Sequence, residues 1–214
     1  MESGQVNSRV VNAARKQVIT QLVADHKHVK KIYREFQKLD PDADVAQCQE
    51  LVQQALAELT VHATLEEELL YPAARGTADD DLLNEAEVEH ESMHALIERL
   101  QAMTASDDKY AARFTVLCEY LIHHVDEEEE VMFPQLERGD LDWVNIAADM
   151  GQRREELTQH AGAAAEVETK STLRDKSAKK KTDKVEFGFR PTEALRGNER
   201  APSPARSAKT AKPM

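Results

Sequence analysis

Residues 62–72 read His62-Ala63-Thr64-Leu65-Glu66-Glu67-Glu68-Leu69-Leu70-Tyr71-Pro72, and the pattern returns as His124-Val125-Asp126-Glu127-Glu128-Glu129-Glu130-Val131-Met132-Phe133-Pro134. Both stretches run H-x3-E-E-E, then two apolar residues, an aromatic residue and proline. Upstream, Asp25-His26 corresponds to Glu89-His90. The long motif repeats after 62 residues and the short one after 64, so one unit occurs twice with almost the same internal spacing. Two copies of one pattern predict two helix hairpins related by an approximate two-fold axis.

The residues around these motifs have a helical period. Four amphipathic stretches run over about 10–39, 44–75, 79–104 and 107–138, with apolar residues at steps of three and four. They are separated near Asp40-Pro41-Asp42, Arg75-Gly76-Thr77 and Ala105-Ser106-Asp107, where residues that end helices meet residues that start them. Short connections between long helices make neighbours antiparallel. The expected fold is therefore all-α, an up-down-up-down four-helix bundle. A short fifth helix, from Leu141 through Leu157, is expected to be anchored by Trp143.

Composition separates this body, about 10–160, from a C-terminal tail, 169–214. The tail holds 13 Lys and Arg against 5 Asp and Glu, net +8, while the remainder holds 15 against 35, net −20. It also carries four of the seven prolines and few large apolar residues. Such a segment buries too little surface to offset its ordering entropy, and disorder is the expectation. Its charge suits a solubilising role or a weak contact with nucleic acid, acidic lipid or an acidic partner. No apolar run has the length of a membrane span or a signal peptide, which sets a cytoplasmic location as the expectation. Cys48 and Cys118 form no C-x-x-C pair and read as buried thiols without a chemical role.

The polar residues of the motifs fall on the apolar faces of their helices. His26 lies four after Leu22 and three before Val29. His62 and Glu66 continue the stripe Leu51, Ala55, Leu59 towards Leu69 and Ala73. His90 and His94 continue Leu83 and Ala86 towards Ile97. His124 and Glu128 continue Leu117 and Leu121 towards Val131. Residues four apart share a helix face, so five histidines and two glutamates are expected to point inward, at one level of the core. A single core histidine is usually just hydrogen-bonded, and a glutamate run usually solvated. Two repeated pairs with two further phased histidines outweigh that reading. Seven ionisable groups in one core level are costly without compensation. Imidazole and carboxylate donors suit iron, zinc or manganese. Seven are too many for one ion and excessive for a closed structural zinc site. Two ions sharing the two carboxylates would use them all. His28, His123 and His160 fall off the stripes and are expected at the surface. Tyr33 and Tyr120 fall on the ligand faces, either as packing or as hydrogen-bond donors to a bridging oxygen.

The order His26, His62-x3-Glu66, His90-x3-His94, His124, with the tandem HxxxEE…(Y/F)P motifs, resembles hemerythrin and the wider HHE cation-binding family over about residues 15–160. The resemblance implies two iron ions with carboxylate bridges and a bridging oxo or hydroxo group. Glu66 and Glu128 would bridge; His90, His94 and His124 would bind one iron; His26 and His62 would bind the other. The second iron would keep a position for dioxygen, peroxide or nitric oxide. Oxygen-carrying hemerythrins have His-x4-Asp in the last helix, whereas here Glu128 follows His124 at x3 and Glu129 at x4, which is closer to the broader family. The function expected is binding or chemistry of a small oxygen or nitrogen species. The alternative is an iron or oxygen sensor without turnover, in which metal loading is coupled to partner contacts.

Overall fold

The structure, a computed structural model, describes residues 2–159, with side chains from Ser8 onward. The tail 169–214 and His160 lie outside the described residues. Five helices carry the described chain, which has no strand. Helix α1 spans Glu2–Phe36. Helix α2 runs over Val45–Leu65, continues through a π-helical turn at Glu66–Leu70, and ends with Tyr71–Ala74. Helix α3 spans Asp80–Gln101. Helix α4 runs over Tyr110–Glu127, a second π-helical turn at Glu128–Met132, and Phe133–Arg138. Helix α5 covers 143–159. Helix α1 packs on α2 and α4, and α3 packs on α2 and α4, so the four long helices close a ring.

The connections have local causes. Gly76, at φ +74°, takes the left-handed conformation that follows the end of α2 and that glycine adopts without a steric penalty. Asp79 then caps α3, its carboxylate accepting the Asp81 N–H at 2.9 Å. Asp80 and Asp81 in the first turn complement the helix dipole.

Inside the ring, the buried apolar residues form two clusters. One holds Val29, Ile32, Phe36, Val52, Leu59, Ile97, Phe114 and Leu121, with both thiols, Cys48 and Cys118. The other holds Val18, Leu22, Leu70, Tyr71, Leu83, Met132, Phe133 and Leu136. Trp143, Ile146 and Met150 of α5 join the second cluster, so Trp143 anchors the fifth helix as expected. Along α1, His26 falls between Leu22 of one cluster and Val29 of the other; along α3, His90 falls between Ala86 and Met93. The polar motif therefore occupies the layer between two apolar cores.

The π-helical turns correct the expected stripes. In α2 the buried residues past Glu66 are Leu70, Tyr71 and Ala74, not Leu69 and Ala73. In α4, Val131 is exposed, and Met132, Phe133 and Leu136 are buried. Each π turn adds one residue to the helical repeat, closed by an i→i−5 bond from Tyr71 N–H to the Glu66 carbonyl and from Phe133 N–H to the Glu128 carbonyl. The prolines supply the reason. Pro72 and Pro134 have no N–H, and in an α-helix their rings would press on the carbonyls of Glu68 and Glu130. A wider turn just upstream relieves that conflict.

Candidate metal centre

Six of the seven predicted residues converge. His26, His62, Glu66, His90, His124 and Glu128 are all at most 3% exposed. Their inward atoms lie close together. His26 Nε2 is 3.1 Å from His62 Nε2, and His90 Nε2 is 2.9 Å from His124 Nε2. Glu66 Oε2 lies 3.0 Å from His62 Nε2 and 3.7 Å from His90 Nε2, so it stands between the two histidine pairs. Glu128 Oε2 does the same, 3.3 Å from His26 Nε2 and 3.6 Å from His124 Nε2. Two groups of potential donors result: His26, His62, Glu66 and Glu128 in one, and Glu66, His90 and His124 in the other.

His94 departs from the expected inward position. Its side chain is 41% exposed and its Nε2 lies 2.7 Å from Glu67 Oε1. The buried stripe of α3 steps through Leu83, Ala86, His90, Met93, Ile97 and Leu100, so Met93 takes the place read for His94. With Glu67 and His90, His94 forms a separate, partly exposed group of potential donors. The repeat carries a signal for this: the residue matching His94 in the first hairpin is Lys30, whose ammonium reaches Asp126 at the surface. His28 and His123 are exposed, as expected. Tyr120 is 52% exposed, which removes it from the ligand face, while Tyr33 packs edge-on against Phe114 in the first apolar cluster.

Sequence reasoning missed a ring of carboxylates outside the centre. Each inward histidine turns its Nδ1 to an acid: His26 to Glu129 (2.9 Å), His62 to Asp25 (3.4 Å), His90 to Glu67 (2.7 Å) and His124 to Glu89 (2.8 Å). The arrangement follows the repeat. Asp25 and Glu89 serve the histidine of their own hairpin, and Glu67 and Glu129 serve that of the other. A carboxylate on Nδ1 fixes ring orientation and leaves Nε2 as the electron-pair donor, the outer support typical of metal-bound histidine. The same pattern places Glu128 inside the centre and Glu129 outside it. The motif aromatics were also missed. Tyr71 donates its hydroxyl proton to Glu128 Oε1 at 2.8 Å, and Phe133 stacks on His26 with centroids 6.0 Å apart.

The charge balance is unfinished without cations. Glu66 Oε1, Glu66 Oε2 and Glu128 Oε2 are buried without a well-formed hydrogen bond, although imidazole nitrogens stand 3.0 Å from Glu66 Oε2 and 3.3 Å from Glu128 Oε2. Buried carboxylate oxygens left so cost several kcal/mol. Burial alone would push the His62 imidazole down, but the charge of Glu66 and the hydrogen bond with Asp25 push it up to about 10. Burial likewise opposes a charge on His124, and Glu128 and Glu89 outweigh it and raise its pKa. Burial raises Glu128, yet His124 and His26 hold it well below the carboxylate range. Each close Nε2 pair thus includes one imidazole that favours a proton, a stand-in for a cation. Four imidazole nitrogens and two carboxylates, with orphaned oxygens, fit divalent or trivalent metal ions of the iron–zinc–manganese class.

Comparison with known proteins agrees with that fit. A family model described as hemerythrin HHE cation binding domain matches residues 17–136. A protein of Nostoc sp. (strain PCC 7120 / SAG 25.82 / UTEX 2576) named DNA nickase is 31% identical over 134 residues, which is 61% of this chain and 37% of that relative's own length. A crystal structure of a hemerythrin HHE cation binding domain-containing protein from Mycobacterium kansasii superposes with a TM-score of 0.53 at 25% identity, covering 65% of this chain and 86% of that one.

Two outcomes are expected. Glu66→Ala or Glu128→Ala abolishes stoichiometric metal binding, while Glu129→Ala, which removes only an outer support of His26, weakens it by about 10–100-fold. Equilibrium dialysis with metal analysis checks this, and greater loss in Glu129→Ala would reverse the assignment. The metal-free protein should also respond to pH. His62, raised from 6.5 to about 10, stabilises the fold fully below about 6.5 and loses that contribution as pH rises through about 10. Glu128, lowered from 4.5, stabilises above that value and loses its contribution as pH falls. The metal-free Tm should therefore peak between about 4.5 and 6.5 and fall towards alkaline pH. The metal-loaded Tm should not fall there, because metal binding displaces those protons. Thermal unfolding of both forms across pH tests the difference.

Proposed function

Because the chain belongs to the hemerythrin HHE cation-binding domain family, we propose that its buried centre is a non-haem di-iron site for a small oxygen or nitrogen species, carried by an up-down-up-down bundle over about 10–160. The observation that carries the reading is the pair of carboxylates, Glu66 and Glu128, each standing between the two Nε2 pairs with oxygens left without a well-formed hydrogen bond. His26 and His62 would hold one iron and His90 and His124 the other, with Glu66 and Glu128 shared and an oxo or hydroxo bridge completing the pair. When bound, the irons supply reversible ligation or one-electron chemistry towards dioxygen, peroxide or nitric oxide. The protein's own part is to position donors, through the four outer carboxylates, and to keep the layer dry between two apolar cores. His94, bound to Glu67 at the edge, would act on His90 indirectly.

Among the described residues no helix is long and apolar enough to cross a membrane, and the reading places the protein in the cytoplasm. Protein purified after growth with ample iron should carry about two irons per chain, and truncation from Thr169 should leave that number unchanged. One ion per chain, or zinc alone, would remove the di-iron reading. Peroxide and oxygen consumption assays on the loaded protein then separate turnover from an iron or oxygen sensor.

A second reading is favoured by one specific observation, the relative named DNA nickase. The chain spans only 37% of that relative's length, so contact with nucleic acid is proposed for it and nicking is not. The net +8 of residues 169–214 would supply the contact, and the net −20 of the rest would oppose it. Binding to duplex DNA should be weak at physiological salt and fall steeply as salt rises, through counterion release. Salt-resistant binding by the full chain, or nicking of supercoiled plasmid by the iron-loaded protein, would move this reading ahead of the first.

A further inference from the structure

The two halves of the centre differ at one repeated position. Phe133 matches Tyr71 in the repeat, and both side chains are buried against the histidines. Phe133 brings only a ring face to His26. Tyr71, wholly buried, brings an oxygen atom to the other half. That oxygen lies 3.3 Å from His90 Nε2, 3.5 Å from His124 Nε2 and 2.8 Å from Glu128 Oε1. The two Nε2 atoms are themselves 2.9 Å apart. The phenol oxygen is thus about as near to the two imidazole donors as they are to each other.

His90 and His124 face Glu67 and Glu89 through Nδ1, so once the proton shared between their Nε2 atoms is displaced both Nε2 atoms offer lone pairs. The single phenol proton goes to Glu128. Three potential donor atoms therefore meet within 3.5 Å in a buried layer, and the 2.9 Å contact between the two Nε2 atoms requires a proton between them in the metal-free protein. A metal ion set against the three atoms takes the place of that proton. Donors held about 2.0–2.1 Å from one ion stand roughly 2.8–3.4 Å from each other in octahedral or tetrahedral arrangements, close to the separations found here.

We infer that Tyr71 is a phenolate ligand of the ion held by His90 and His124, so that one half of the centre has an oxygen donor that the other half lacks. The inference rests on the di-iron reading above. On metal binding the O–H bond breaks, the phenol oxygen bonds to the metal, and the proton leaves to solvent with those displaced from the imidazoles. No electron is transferred in this step.

The test uses the full chain loaded with iron and oxidised to the ferric state, with iron content and visible spectrum measured on the same samples. Ferric phenolate gives an intense charge-transfer band in the visible that imidazole and carboxylate ligands do not, while an oxo bridge absorbs chiefly in the near-ultraviolet. The wild type should hold about two irons and show this band, and Tyr71→Phe should lose the band while keeping the irons. Resonance Raman excitation within the band of the wild type, grown with ring-deuterated tyrosine, should shift the enhanced ring modes. That measurement decides the matter even if Tyr71→Phe folds or loads poorly. Two irons without a visible band, a band that survives Tyr71→Phe, or ring modes that do not shift would each overturn the assignment while leaving the di-iron reading intact. Wild type that fails to take up two irons would remove both.

Discussion

Glu66 and Glu128 are held out of water between two apolar cores, with oxygen atoms left without a well-formed hydrogen bond and only imidazole nitrogens beside them. Each buried ion of this kind costs several kcal/mol unless a countercharge accompanies it, and the surrounding structure is organised around that deficit. Four imidazoles face the carboxylates, and four more acids face the imidazoles from outside. The result is a nested shell: carboxylates at the centre, then nitrogen donors, then carboxylates again towards the surface. The outer acids hold the rings at fixed angles, so the inward nitrogens are directed before any cation arrives. Helix α5 adds one more layer on a single side, where Arg154 binds Asp25 at 2.6 Å and so supports the acid that supports His62.

Much of this was legible in the sequence because a helix converts spacing into direction. His62 with Glu66, and His124 with Glu128, are four apart and share a face, and the repeat placed His26 and His90 opposite them. The helix limits and the anchoring of Trp143 followed from punctuation and period. What was not legible has physical reasons. The prolines after the aromatics were read as part of a motif, and their effect on the helix upstream was not. The π turns they favour shifted the register by one residue, so Leu70, Met132 and the aromatic side chains turned inward while Val131 turned out. His94 was misplaced because steps of three and four are equally helical, and only packing decides that Met93 fills the core. The outer acids were hidden within runs of glutamate, where inward and solvated residues look alike one at a time.

The internal two-fold symmetry is strict where the centre needs equal halves and absent where it does not. Histidines, inner glutamates and outer acids all map onto one another. The aromatic residue does not: one half presents a hydroxyl and the other a bare ring. Lys30 and His94 also differ, as does the single arginine on Asp25. A duplicated scaffold thus supplies matched positions, and single substitutions at its rim set the two halves apart.

The two π turns have a consequence for how the protein tolerates change. An inserted residue in a helix normally rotates everything beyond it by about 100°, and here that rotation falls in α2 and α4 at the level of the glutamates. Below that level α2 and α4 face the first apolar core in one phase, and above it they face the second core in another. On α2 and α4 the cores are phased separately, while α1 and α3 run through both without interruption. A side chain facing one core on α2 or α4 is therefore out of phase with those facing the other, and the six-residue seam between them fixes the angular relation of both.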